Sequence, residues 1–183
     1  MLPRKLVDTK IRKTFDLIKP YIRGKVLDVG AGNCLLSERI ANEMRVKVQP
    51  LDIVDKNLTK LKLKVYDGKH IPFKDKSFDT SLLIFVLHYV HDKENFLKEV
   101  KRVTKKRLII LEDTPENIAE HLYKKIWVLL EMKSTEFLKY ENAEEIERLV
   151  QNLKPRKIES KRIKPLWNKF LNRSVHSLYM LHF

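Results

Sequence analysis

Val26-Leu27-Asp28-Val29-Gly30-Ala31-Gly32-Asn33-Cys34 sets a short apolar run directly before a glycine-rich turn, and residues 35–44 after it carry helical spacing. Apolar, β-branched residues up to Val29 read as a buried strand. Glycine lets the backbone turn sharply and admits a ligand close to the chain. The helix that follows aims free N–H groups at the same point, which favours a carboxylate or phosphate there. A lone Gly-x-Gly also occurs in an ordinary strand–helix turn, so the flanking sequence decides its meaning.

Upstream, residues 4–19 read as a basic amphipathic helix, with Leu6, Ile11, Phe15 and Ile18 near one face and Pro20 and Gly24 closing it. Downstream, strands are predicted at 46–51 and 61–66 with a short helical turn between them. The apolar run 78–87 suits a strand buried on both faces, 91–103 a helix, and 107–111 another buried strand. Pro115 suits the first turn of a helix capped by Asp113 or Thr114 and carrying Ile118, Leu122, Ile126, Leu129 and Leu130. A helix at 143–153 precedes strands at 157–163 and 175–183, which can pair antiparallel through the loop containing Pro165 and Trp167. Strands alternating with helices predict an α/β fold: seven strands, mostly parallel, helices on both faces, and an antiparallel C-terminal strand. Residues 1–183 are expected to form one domain, with a helical cap (1–24), a cofactor-binding half (25–113) and a substrate-side half (114–183).

The apolar fraction of 43% fits a globular chain. No apolar run is long enough to span a bilayer and no secretory signal opens the chain. The single cysteine, Cys34, excludes an internal disulfide framework, so a cytoplasmic protein is expected. The net charge of +14 is unevenly spread: residues 1–25 hold eight basic and two acidic side chains, residues 151–183 eight and one, and residues 26–150 twenty-two and twenty-one. Ends that meet in space would form one basic surface able to attract RNA, acidic lipid or an anionic substrate. A solubilising Lys/Glu-rich surface is the plainer explanation.

Three acids mark strand ends. Asp28 ends the first strand, and Asp52 stands twenty residues after Gly32 at the end of the second, where a carboxylate can accept ribose hydroxyls. Asp67-Gly68 ends the third, where a carboxylate and a glycine amide can read the polar edge of adenine, although a plain Asp-Gly turn looks the same. Open α/β sheets bind ligands along this edge.

Together with Ile71-Pro72-Phe73 and Asp75-x-Ser77-Phe78-Asp79, these segments resemble the class I S-adenosylmethionine-dependent methyltransferases, most closely the ubiquinone/menaquinone-biosynthesis-type branch (methyltransferase type 11). A later segment, from Val86-Leu87-His88-Tyr89-Val90-His91-Asp92 to Val103, fits the same branch. The resemblance covers roughly residues 20–113 and implies a Rossmann-like sheet with S-adenosyl-L-methionine as cofactor and S-adenosyl-L-homocysteine as product. It further implies that Gly30 and Gly32 line the methionine part with Asp28 near its ammonium group. Asp52 would hold the ribose hydroxyls, Ile53 pack on the adenine, Asp67 and Gly68 read its amino group, and Phe85 sit beside the cofactor. Two departures stand out: Cys34 replaces a third small turn residue, and Thr104-Lys105-Lys106-Arg107 stands where Lys-Pro-Gly-Gly is usual.

His88 and His91 follow the fourth strand, where the family places acceptor-facing residues, and are the candidate general bases. Packing or capping is the alternative for both. No metal-ligand spacing is present. The absence of Asn-Pro-Pro-aromatic after the fourth strand disfavours exocyclic base amines as acceptors. Tyr123, Trp127 and Phe137 are candidates for an apolar acceptor pocket, or for core. The expectation is a methyltransferase acting on a small or lipid-like molecule. An RNA (tRNA) methyltransferase using the basic termini is the alternative, with a non-catalytic binding protein or a nicotinamide-dependent dehydrogenase behind it.

Overall fold

Every residue of the strand Val26–Val29 (β1) is buried, as are five of the seven in Phe78–Ile84 (β4), and such strands need cover on both faces. A computed structural model of the chain describes residues 4–115, 122, 141–164 and 175–183 and supplies that cover. Its other strands are Val48–Asp52 (β2), Lys64–Val65 (β3), Thr104–Thr114 (β5), Lys157–Ile163 (β6) and Val175–His182 (β7). They form one sheet in the order β3-β2-β1-β4-β5-β7-β6. β1 to β5 pair in parallel, while β7 runs antiparallel to both β5 and β6. The expected Rossmann-like sheet is therefore present.

Helices Arg4–Ile18 (α1) and Leu35–Met44 (α2) cover one face, where Phe15, Ile18, Ile22 and Ile40 meet Leu82, Ile109, Leu111, Leu178 and Met180. Lys93–Val103 (α3) and Ala143–Gln151 (α4) cover the other, where Phe96, Val100, Ile146 and Val150 meet Leu27, Leu83, Leu108, Ile110 and Tyr179. Alternate residues of each central strand thus enter opposite layers. The chain winds outward from β1 to β3 and returns to β4 on the other side of β1. The crevice at the carboxyl ends of β1 and β4 is the switch point where such sheets bind ligands. The two basic ends of the chain do meet: Lys161 Nζ donates to the Tyr21 hydroxyl at 2.6 Å, and Ile163 packs on the layer containing Phe15 and Ile18.

Three local expectations need correction. No helical turn lies between β2 and β3. There Asp55, Asn57 and Thr59 accept the backbone amides of Asn57, Thr59 and Leu61 at 3.0, 2.8 and 3.1 Å, so side chains take the amides that a helix would use. β4 ends at Ile84 rather than at residue 87, because Phe85 adopts φ 59° and a short 3-10 turn, Leu87–Tyr89, follows. α3 passes into β5 without a loop; Thr104 Oγ1 donates to the Val100 carbonyl at 2.5 Å and shares a 2.6 Å hydrogen bond with Ser81 Oγ, so no Lys-Pro-Gly-Gly turn is required. Most of the helix expected after Pro115, the loop of Pro165 and Trp167, and Tyr123, Trp127 and Phe137 lie outside the described residues.

Leu83 is fully buried at the centre of the sheet, whereas Val65 on the edge strand is about half exposed. Leu83→Ala is expected to cost about 2–5 kcal/mol in urea unfolding. Val65→Ala is expected to stay within about 0.5 kcal/mol.

Candidate cofactor site at the carboxyl edge of the sheet

The turn after β1 is pinned to β2 by two hydrogen bonds, from the amides of Gly30 and Ala31 to the Leu51 carbonyl at 2.8 and 3.1 Å. Gly30, at φ 73°, occupies the left-handed region, and a Cβ there would sit 2.6 Å from Val86 Cγ2. Gly32 has φ 56°, but the space a Cβ would take is open. Glycine is thus required at the first position for packing as well as conformation, and at the second it leaves an open cradle. Cys34, buried and also left-handed at φ 62°, starts α2.

Asp28 is buried at the end of β1 and accepts the Ser37 hydroxyl at 2.5 Å. Burial pushes its carboxyl up to about 6, with the Asp52 charge adding to the rise and Ser37 opposing it. Asp52 accepts the Gly32 amide at 2.7 Å with one oxygen, and the Ile53 and Val54 amides at 2.7 and 3.3 Å with the other. One carboxylate therefore ties the end of β2 to the glycine turn. Ile53 is 59% exposed, and its Cγ2 would stand 3.2 Å from a Cβ on Gly68. Asp67 is exposed and accepts the Lys69 and His70 amides, both at 2.8 Å, which hold its carboxyl below the usual range. The structure brings Asp28, Gly30, Gly32 and Asp52 together, and stacks Ile53 over Gly68. Asp67 caps the turn beside them.

Beyond β4, Phe85 donates its amide to the Leu111 carbonyl at 2.7 Å. Its ring meets the His176 ring edge-on at 5.4 Å, with Lys10 Nζ 5.0 Å from its centre. Sequence reasoning passed over Glu112, a carboxylate only 1% exposed at the end of β5. One of its oxygens accepts the Val86 and Leu87 amides at 2.5 and 2.6 Å, and the other lies 2.8 Å from His88 Nδ1. His88 is accordingly buried and committed to Glu112. On the other side of the strand, Asp113 Oδ1 stands 2.5 Å from Nδ1 of the fully buried His176. The available signal was the acid pair itself, Glu112-Asp113, at the end of a buried apolar strand. His91 is exposed on the rim of a cavity of about 510 Å³ that Lys93, Glu141 and Arg148 also line.

An open glycine cradle, a carboxylate bound to that cradle, a second buried carboxylate and an exposed isoleucine suit a ligand with a cationic group, hydroxyls and a flat ring. Residues 27–110 match the family model of a methyltransferase domain. That segment carries a methyltransferase domain. A curated relative, demethylmenaquinone methyltransferase of Thermotoga maritima, is 32% identical over 139 residues, which are 67% of this chain and 61% of that protein. The chain thus spans less than two thirds of that relative's length. An S-adenosylmethionine-dependent methyltransferase of Archaeoglobus fulgidus superposes with TM-score 0.73 at 12% identity, covering 96% of this chain and 94% of the other. Phosphoethanolamine N-methyltransferase 2 of Haemonchus contortus, solved with S-adenosylhomocysteine, gives TM-score 0.72 at 15% identity over 93% and 52% of the two chains. At such identities the two structures support the fold of the methyltransferase domain. No helix among the described residues is long and apolar enough to cross a membrane.

Removing Glu112 strands the Val86 and Leu87 amides and one buried imidazole, so Glu112→Ala is expected to lose about 3–5 kcal/mol in chemical denaturation. Asp28 holds its proton more tightly in the folded chain, at about 6 against 3.8. Its contribution is therefore fully present below pH 4 and lost as pH rises to 6, by about 3 kcal/mol. Unfolding of Asp28→Asn across that range should lack this decline.

Proposed function

We propose that the protein transfers the methyl group of S-adenosylmethionine to a small, quinone-like or lipid-like acceptor. The observation that carries this reading is the tie from the Asp52 carboxylate to the Gly32 amide, at the switch point and inside the segment that matches a methyltransferase domain. The name of the Thermotoga relative supports a quinone-like acceptor.

When bound, the cofactor supplies an already activated methyl group. The chain's work is then to bind, orient and exclude water. Gly30 and Gly32 line the methionine end, and the buried Asp28 faces its ammonium group, a cation that favours the ionised carboxylate. Asp52 has lone-pair capacity beyond its three amides and accepts the ribose hydroxyls. Ile53, with Gly68 beneath it, offers the apolar surface for adenine, and Asp67 and the Gly68 amide meet its polar edge. Phe85 closes the methyl end. Holding an acceptor in line there is worth up to roughly 7–11 kcal/mol in favourable cases. Of the two histidines, His88 is engaged by Glu112 and serves position, while the exposed His91 is the candidate to take an acceptor proton.

Titration calorimetry with S-adenosylhomocysteine tests the cofactor site. Asp52→Ala is expected to lose about ten- to hundredfold in affinity, the value of one or two hydrogen bonds to a charged group. Unchanged affinity in a folded variant would reject the assignment. The Asp28 role predicts wild-type affinity rising from pH 5 to 7, by up to about tenfold per unit, because the proton held near pH 6 must leave before the ammonium binds. Asp28→Asn should flatten that profile. Incubation with labelled cofactor and separate quinol, amine and RNA acceptors is expected to place label in the quinol; label in RNA alone overturns the acceptor.

A further inference from the structure

All strands except β7 run in one direction, and each enters the sheet at or beside a lysine. Lys25 and Lys47 immediately precede β1 and β2, Lys64 opens β3, Lys76 stands two residues before β4, Lys105 is the second residue of β5, and Lys157 opens β6. All six are exposed. Lys19, Arg23, Lys74, Lys154 and Arg156 in the same connections, and Lys106 in β5 beside Lys105, are exposed as well. Carboxylates at this edge are few and engaged: Asp79 with Lys106 at 3.3 Å, Glu159 with Lys157 at 2.9 Å, Asp75 with Arg102 at 2.7 Å and Asp16 with Lys19 at 2.8 Å. Lys47, Lys64, Lys76 and Lys105 form no ion pair among the described residues.

We propose that this amino edge is a docking face for the phosphate backbone of a nucleic-acid duplex. Seven strands about 4.8 Å apart make an edge roughly 29 Å long, comparable to the span over which a duplex presents about seventeen charges. Five of the six large exposed apolar side chains among the described residues, Ile53, Val54, Leu58, Val65 and Tyr89, lie towards the carboxyl ends of the strands instead. Among the described residues, the amino edge therefore presents no large exposed apolar side chain to a bilayer or to an unstacked base, and Phe183 beside Lys106 is half-buried with Lys101 over its ring. A duplex asks only for spaced cations. It is not the methyl acceptor on this reading, because the cofactor site lies at the opposite ends of the strands, among Asp28, Asp52, Asp67 and Glu112. The proposal is independent of the acceptor proposed above.

The test is fluorescence anisotropy of the full chain with a 20-base-pair RNA duplex, a single strand of the same length and vesicles of acidic lipid. Duplex binding is expected to fall about a thousandfold from 50 to 200 mM salt if six phosphates are engaged. The triple variant Lys47→Glu, Lys76→Glu, Lys105→Glu should weaken it at least tenfold and leave S-adenosylhomocysteine affinity unchanged. A control of equal charge change, Lys56→Glu, Lys60→Glu, Lys98→Glu, should stay within about threefold. No duplex binding at 50 mM salt, equal loss in both variants, or binding to vesicles or single strand in preference to duplex would each overturn the proposal. Methylation of the duplex would overturn its separation from the acceptor site, whereas failure to methylate a quinol would leave the docking face standing.

Discussion

Burial of β1 and β4 on both faces is the constraint from which the rest of the molecule follows. With α1 and α2 over one face and α3 and α4 over the other, the charged side chains of the central strands stand towards the strand ends. At the carboxyl ends of β1 and β4 the crossovers diverge, so among the described residues the gap is bounded by the turn 30–34 and the segment 85–89. Neither could hold its shape alone. The first is anchored to Leu51 and Asp52, and the second to Leu111 and Glu112. Val86 then stands against Gly30 so closely that no side chain fits between them. The two walls of the crevice are therefore set against each other by one contact, and each is held by a carboxylate from the neighbouring strand.

What could be read from the sequence was whatever a local pattern encodes. The helix 35–44 and the strand 157–163 match their expected bounds, because periodicity and breakers are local. The glycine turn and the strand-end acids were legible for the same reason. An apolar run cannot reveal that Phe85 takes a positive φ, so β4 was read three residues too long. Asp55, Asn57 and Thr59 look like tolerable residues of a short helical turn, yet their side chains satisfy the backbone first. His88 was read as facing an acceptor because it follows a strand end. Its burial depends on Glu112, twenty-four residues away, and pairing at that distance leaves no periodic trace.

The charge is the clearest case of a pattern that the chain hides and the fold displays. Counted along the sequence, the excess belongs to the two ends, and residues 26–150 look neutral. Part of that neutrality is a cancellation between lysines at strand entries, Lys47, Lys64, Lys76 and Lys105, and acids at strand exits, Asp28, Asp52, Asp67 and Glu112. In an antiparallel sheet alternate strands would bring entries and exits to the same edge, and the two signs would mix. A parallel sheet repeats one polarity strand after strand, so a cancellation in sequence becomes a separation in space. Such a polarity would draw a cationic ligand to the acidic edge and a polyanion to the basic one, with the length of the strands between them. Two ligands of opposite charge can then be held by one small sheet without competing for the same field.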